Sequence, residues 1–427
     1  MKKIIEAKEF DVITCNPEFE KHSGYIYMDP RSFQQLEQLI LTFNDDEQAD
    51  AIEFFNVTTK REVGKVIKLK NYVGMIHLAT GIQIEILPKI HRHMTGDTRK
   101  IFLKMLKTLK DFPTKTFNEA NLNTERMPLF EVFIHLYIQE VQRLVKKGIK
   151  SAYYEVENNL NVYKGKMLFN AQIKHNLLHK ERFFMYYDEF GMNRAENRLI
   201  KSTLLQILKQ STDTENVKEI RQLLMHFELV ETSHNYEKDF QLVVINRNSK
   251  DYESIIAWSK VFLNNRSFTT FSGGTFGKAL LFPMDKVFEA YVGRHMVKQF
   301  SDEWDVSLQD KGFYLFEDKF ALRPDIVLRA LNKSRIIIID TKWKLLSNLS
   351  NKNYGISQAD MYQMYSYAKK YQTNEIYLVY PMNDQFENMK EIQFVSDDGV
   401  RVNVFMLDCE QIENSLQKLK LKFGYTT

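Results

Sequence analysis

IIIIDTKWK, residues Ile336 to Lys344, decides how the C-terminal third of this chain is read. Four consecutive isoleucines without polar alternation describe a central strand buried on both faces. The run ends in Asp340, Thr341 and Lys342. Side chains two apart on a strand share a side, so Asp340 and Lys342 are expected to project together from the strand's end. The preceding apolar run, LRPDIVL (Leu322 to Leu328), carries Asp325 directly after Pro324. Between the runs, Asn332, Lys333 and Ser334 suit a hairpin turn. Antiparallel pairing would return Asp325 to the neighbourhood of Asp340. Pro324 fits an irregular point there rather than a mid-ladder position.

Two carboxylates and a lysine then share one strand tip. Neighbouring carboxylates raise each other's pKa unless a cation intervenes. Hard oxygen donors suit Mg2+, which takes one or two carboxylates together with water and substrate phosphate oxygens. Such an ion stabilises charge on a phosphate and makes a bound water more acidic. Lys342 can orient or polarise the attacking water and offset phosphate charge. Taken singly, Asp-x-Lys on a strand is a solvated ion pair worth under about 1 kcal/mol, and Pro-Asp is a turn. Their combination across two apolar strands favours a metal nuclease site.

The rest of the chain is compatible with that reading. Its 427 residues suffice for two or three domains, and 44% of them are apolar, enough for a large core. Basic and acidic residues nearly balance, at 59 against 55, so net charge does not announce nucleic-acid binding, although a local patch can provide it. The two cysteines, Cys15 and Cys409, have no metal-ligand spacing and fit a reducing compartment. MKKIIEAKEF, at the start, lacks the apolar run of a signal peptide. No window approaches the roughly 20 apolar residues of a membrane span, so a cytoplasmic, soluble protein is expected.

The overall expectation is a multi-domain α/β protein. Residues 1–115 read as a β-rich N-terminal domain, with two or three antiparallel strands in Gly64 to Ile90 punctuated by Gly64, Gly74 and Gly81. Residues 116–270 read as mainly helical. The pattern from Thr124 to Lys147 ends at Gly148, and Asn197–Gln210 and Val217–Val230 show helical spacing. Strands are possible near Tyr153 to Val162. Residues 271–427 run helix, strands, helix, strand, with one strand over Lys319–Arg329, a mixed α/β domain. Three other features are discounted. GGTFGKA (Gly273 to Ala279) lacks the spacing and the Ser or Thr of a nucleotide-binding loop, and reads as an interdomain turn. His91 to His93 lack a third metal ligand. RFFMYYDEF (Arg182 to Phe190) can stack bases but reads better as a buried strand.

Asp325 with Asp340-Thr341-Lys342 resembles the PD-(D/E)xK nuclease motif, and the element order around it resembles that superfamily's core. The resemblance implies two further positions. Glu289, in PMDKVFEAYVG (Pro283 to Gly293), stands where many members carry an acidic residue near the metal. Gln363 and Tyr367, in ADMYQMYSYAKKY (Ala359 to Tyr371), are similar to the Q-x-x-x-Y element of RecB-like nucleases. Gln358 and Tyr362 offer the same spacing one register earlier, and the sequence leaves that choice open. Packing for Tyr367 and a solvent-facing role for Glu289 are the plainer alternatives.

Together with NYVGMIHLATGIQIEILPKI (Asn71 to Ile90), YKGKMLFNAQIKHN (Tyr163 to Asn176) and NRLIKSTL (Asn197 to Leu204), these segments resemble the McrC family, the nuclease subunits of McrBC modified-cytosine restriction systems. The resemblance implies a Mg2+-dependent endodeoxyribonuclease, with Mn2+ as an alternative ion, in which Asp325, Asp340 and Glu289 bind metal, Lys342 assists the nucleophile, and Gln363 and Tyr367 support the site. It also implies that the N-terminal part docks on a hexameric McrB-like AAA+ GTPase and stimulates its GTP hydrolysis, while the pair acts on modified double-stranded DNA with no membrane involved. A non-catalytic subunit with a nuclease-like fold, and a stand-alone RecB-like nuclease, are the alternatives. Trp343 and Lys344 are marked by the resemblance alone.

Overall fold

The computed structural model describes residues 4–44, 55–90, 98–110, 112–113, 127–264, 277–332, 335–383, 386 and 391–424. Two compact units emerge, residues 1–129 with 267–427, and residues 130–266. The architecture is mixed α/β with several sheets, as the sequence leads one to expect. No helix of the described residues is long and apolar enough to cross a membrane.

In the first unit, Gly64 to Ile90 holds three strands, each with an antiparallel partner, and earlier strands join them in two sheets. One four-stranded sheet runs Tyr25–Tyr27, Val12–Thr14, Gly64–Leu69, Phe55–Lys60. A second runs Ile4–Lys8, Gln83–Leu87, Tyr72–Leu78, Gly277–Pro283. Its first pair is parallel and the other two antiparallel. The helix Pro30–Asn44 packs against them through Phe33, Leu36, Leu39 and Ile40, whose spacing gives one apolar face. Gly74 does not punctuate a turn. It lies inside a strand at φ +143, and a Cβ there would stand 2.0 Å from the Leu280 carbonyl oxygen. Glycine is what admits the strand Gly277–Pro283 at that point. The Gly277–Ala279 end of the expected interdomain turn is therefore sheet, and the rest of it, like His91 to His93, lies outside the described residues.

The larger sheet of this unit carries the isoleucine run. Its order is Trp304–Leu308, Ile326–Ala330, Ile336–Thr341, Glu375–Pro381, Arg401–Leu407, Ile392–Val395. The Ile336 strand is central, antiparallel to Ile326–Ala330 and parallel to Glu375–Pro381. Ile337, Ile338 and Ile339 are fully buried, as a strand covered on both faces requires. The strand expected over Lys319–Arg329 is broken. Lys319–Ala321 pairs with Tyr314–Phe316 in a separate ribbon, and the ladder resumes at Ile326. Pro324 has no N–H for a ladder, and Asp318 and Phe320 hold left-handed backbone in the ribbon.

The second unit combines helices with one sheet. The helix Leu129–Lys147 stops at Gly148, which takes φ +99. Ala152–Leu160 pairs with Phe183–Gly191, confirming strands in both places. The second strand is not wholly buried, however. Met185 and Tyr187 are inside, whereas Phe190 is exposed, the alternation of a sheet covered on one face.

Candidate functional site

Strand register brings the two aspartates together. Ile326 pairs with Ile339, so Asp325 stands at the ladder's end beside Asp340. Asp325 Oδ2 accepts hydrogen bonds from both the backbone N–H and the hydroxyl of Thr341, each at 2.7 Å. Asp340 is buried, at 1% exposure, inside the last turn of pleat before the strand opens. Lys342 Nζ lies 2.7 Å from Asp340 Oδ2 as a close ion pair. Apart from that ammonium, the oxygen has no hydrogen-bond partner among the described residues.

Burial first, and then the charge of Asp325, push the Asp340 carboxyl up to about 7, with Lys342 pulling the other way. Burial also raises Asp325, opposed by the two donors of Thr341 and by Lys342. For Lys342, burial acts to lower the pKa, but the charges of Asp340, Asp360 and Asp325 overcome it and hold the ammonium above its ordinary value. Lys342 is thus a fixed cation at neutral pH.

The helix Gln358–Tyr371 closes one side. Lys342 Nζ donates to Gln363 Oε1 at 3.1 Å, and Gln363 Nε2 donates to Tyr367 Oη at 2.7 Å. Burial, then the Asp340 charge, raises the Tyr367 phenol, which stays neutral. The alternative register points elsewhere. Gln358 Nε2 donates to the hydroxyl of Tyr362, which is 65% exposed. Ser357 caps this helix by accepting from Asp360 N–H while Asp360 reaches back to Ser357 N–H.

Glu289 stands on the helix Met284–Phe300. It accepts from Gln309 Nε2 at 2.7 Å, and Gln309 N–H donates to the Asp325 carbonyl at 2.8 Å. Burial and then the Asp325 charge raise its pKa, so it is an electrostatic neighbour of the aspartates. All six residues singled out in the sequence therefore fall in one connected cluster.

Other members escaped the sequence reading. Asp285 lies one helical turn before Glu289, a spacing that places both on one face and was available as a signal. Its carboxylate is open to solvent yet recessed enough that lost hydration raises its pKa, countered by Lys342 and by hydrogen bonds from Asn71 Nδ2 and the Trp343 backbone. Gln309 and Asp360 carried no such signal.

Among the described residues, no three His, Cys, Asp or Glu side chains form a ready-made metal cluster. Mg2+ needs fewer, because waters and phosphate oxygens complete its octahedron. Two buried carboxyl groups side by side, Asp340 and Asp325, both with raised pKa and with only one ammonium close to Asp340, fit such an ion.

A family model for the McrBC 5-methylcytosine restriction system component matches residues 67–381. Among solved structures, the chain is similar to one in the refined half-complex from a tetradecameric assembly of Thermococcus gammatolerans McrB AAA+ hexamers with bound McrC. That likeness has a TM-score of 0.69 and 18% identity over 98% of this chain and 100% of that one, and it shows a shared fold. A chain of the cryo-EM structure of the Thermococcus gammatolerans McrBC complex matches with a TM-score of 0.46 and 22% identity, over 69% of this chain and 88% of that one. No curated protein matches.

Proposed function

The chain belongs to the family of McrBC 5-methylcytosine restriction system components, and on that premise we propose that it is the DNA-cutting subunit of such a system. The observation that carries this reading is the meeting of Asp325, Asp340 and Lys342 at adjoining strand ends, with a buried Asp340 oxygen that has no partner but the Lys342 ammonium among the described residues. Asp325 and Asp340, with Glu289 beside them, would hold Mg2+, or Mn2+ in its place. The bound ion supplies Lewis-acid stabilisation of charge on the phosphate.

The chain's own groups do the rest. Thr341 fixes the rotamer of Asp325 through two hydrogen bonds. Gln363, anchored on Tyr367, holds the Lys342 ammonium beside Asp340. There the cation orients the attacking water and opposes the charge gathering on the phosphoryl oxygens. Water adds at phosphorus and the bond to one sugar oxygen breaks, leaving a cut phosphodiester.

The proposed partner is a GTP-hydrolysing AAA+ hexamer of the McrB kind, whose GTPase this chain stimulates. It would supply the motor that GGTFGKA does not encode. The substrate is double-stranded DNA carrying modified cytosine, met in the cytoplasm.

The test uses the full chain with its partner, GTP, Mg2+ and a plasmid containing 5-methylcytosine. Asp340→Ala should slow cleavage by about a hundredfold or more, the equivalent of several kcal/mol of transition-state stabilisation, while GTP hydrolysis by the partner stays stimulated. Cleavage at the wild-type rate by folded Asp340→Ala would sink the nuclease reading.

A further inference from the structure

Trp343 follows the lysine of the candidate site, and its indole is not merely packed. Nε1 donates to both carboxylate oxygens of Glu9, each at 3.0 Å, across 334 positions of sequence. Glu9 Oε2 also accepts the Lys89 backbone N–H at 2.9 Å. Glu9 is fully buried. A carboxyl group taken out of water costs several kcal/mol, so a site that retains one uses it to hold something.

What it holds is the segment where the isoleucine strand gives out. The strand ends at Thr341, the Lys342 N–H still donates to the Val379 carbonyl at 2.9 Å, and the Lys342 carbonyl accepts from Lys344 N–H at 3.0 Å, a tight turn centred on Trp343. The Trp343 ring lies 5.2 Å from that of Phe288, one residue before Glu289. Its backbone donates to Asp285, which also accepts from Asn71. Met284 N–H donates to the Asn71 carbonyl at 2.9 Å. Two N-terminal residues, Glu9 and Asn71, therefore hold the turn and the helix start behind the site, and Lys89 in turn holds Glu9.

We propose that Glu9 is a positioning residue for DNA cleavage: by clamping the Trp343 indole it fixes the turn that aims Lys342, which makes the N-terminal sheet a working part of the cutting centre. This rests on the nuclease reading above.

The experiment compares Glu9→Ala, Glu9→Gln and Trp343→Phe in the full chain with its partner, GTP, Mg2+ and methylated plasmid. Glu9→Ala should lower kcat by about tenfold or more, the usual cost of losing an outer support, with KM for DNA unchanged. Glu9→Gln keeps one acceptor oxygen for the indole and should restore most of the rate. Trp343→Phe should match Glu9→Ala, and the two together should lose no more than either, because both remove one contact. With nitrogen-15-labelled tryptophan and no metal added, the indole signal that disappears in Trp343→Phe should move in Glu9→Ala and hold its place in Glu9→Gln.

Wild-type kcat in Glu9→Ala with a displaced indole signal overturns the proposal, as does additive loss in the double variant. If Glu9→Ala does not fold, Trp343→Phe decides, and full activity there overturns it. Cleavage lost in Asp340→Ala but untouched in these variants defeats this proposal alone. Cleavage retained in Asp340→Ala defeats the nuclease reading instead.

Discussion

Asp340 is costly to bury, and its own strand offsets the cost. Each of Ile337, Ile338 and Ile339, fully enclosed, contributes about 1.5–3 kcal/mol, against the several kcal/mol of burying one carboxylate. Glu9 presents the same problem with Lys89 as its cationic neighbour, and its pH behaviour is testable. Burial raises its pKa from 4.5 to about 7, opposed by its hydrogen bonds from Lys89 and Trp343. Below 4.5 both folded and unfolded chains keep the proton. Between 4.5 and about 7 the unfolded chain releases it while the folded chain retains it, so folding stability falls as pH rises through that window. Urea unfolding should show the wild type losing about 2–3 kcal/mol relative to Glu9→Gln between pH 4.5 and pH 8. Parallel curves would mean that Glu9 titrates normally. The contrast between the two acids marks what sequence can reveal. Asp325, Asp340 and Lys342 were legible because strand period and a hairpin suffice to unite them. Glu9 and Trp343 lie 334 positions apart, and no spacing rule spans that distance.

The helix Gln358–Tyr371 poses the same question one level up. Gln358 with Tyr362 and Gln363 with Tyr367 have identical i, i+4 spacing, so the sequence could not choose between them. Packing chooses: Met364, Tyr367, Ala368 and Tyr371 are buried, and this turns Gln363 toward Lys342 and Gln358 toward solvent. Gln363→Leu should therefore reduce cleavage by about tenfold, whereas Gln358→Leu should stay within twofold in the same assay. Equal effects would mean that the helix is not read by face. Other elements were readable to differing depth. The isoleucine strand announced itself by unbroken hydrophobicity. The helix Pro30–Asn44 had its signal in Phe33, Leu36, Leu39 and Ile40, yet sat unnoticed within a segment dominated by strand-like turns. The break at Pro324 was anticipated from its missing N–H, but not the separate ribbon before it, whose left-handed residues Asp318 and Phe320 carry no glycine to betray them.

At the scale of the molecule, the segment bearing the candidate site is not self-contained. Gly277–Pro283 is the edge strand of a sheet whose other members come from the first ninety residues. Ala279 and Leu281 share a core with Ile5, Ile76 and Ile84. Such pairing of segments about two hundred positions apart leaves no local trace, which is why glycine content near Gly273 suggested a turn where Gly277 begins a strand. A fragment of residues 271–427 would present Leu280, Leu281 and Phe282 on an unpaired edge, a template for aggregation. It would also leave Trp343 without Glu9. Expressed alone, this fragment should collect in the insoluble fraction or bind a hydrophobic dye, and should not cut DNA with the AAA+ partner, GTP and Mg2+ present. Supplying residues 1–110 on a second chain should return part of it to solution, because the missing strands and the carboxylate come from there. A fragment that unfolds cooperatively and cuts as the full chain does would show that neither the shared sheet nor the Glu9 contact is needed. The cutting centre would then have to be ascribed to the six-stranded sheet and its flanking helices alone.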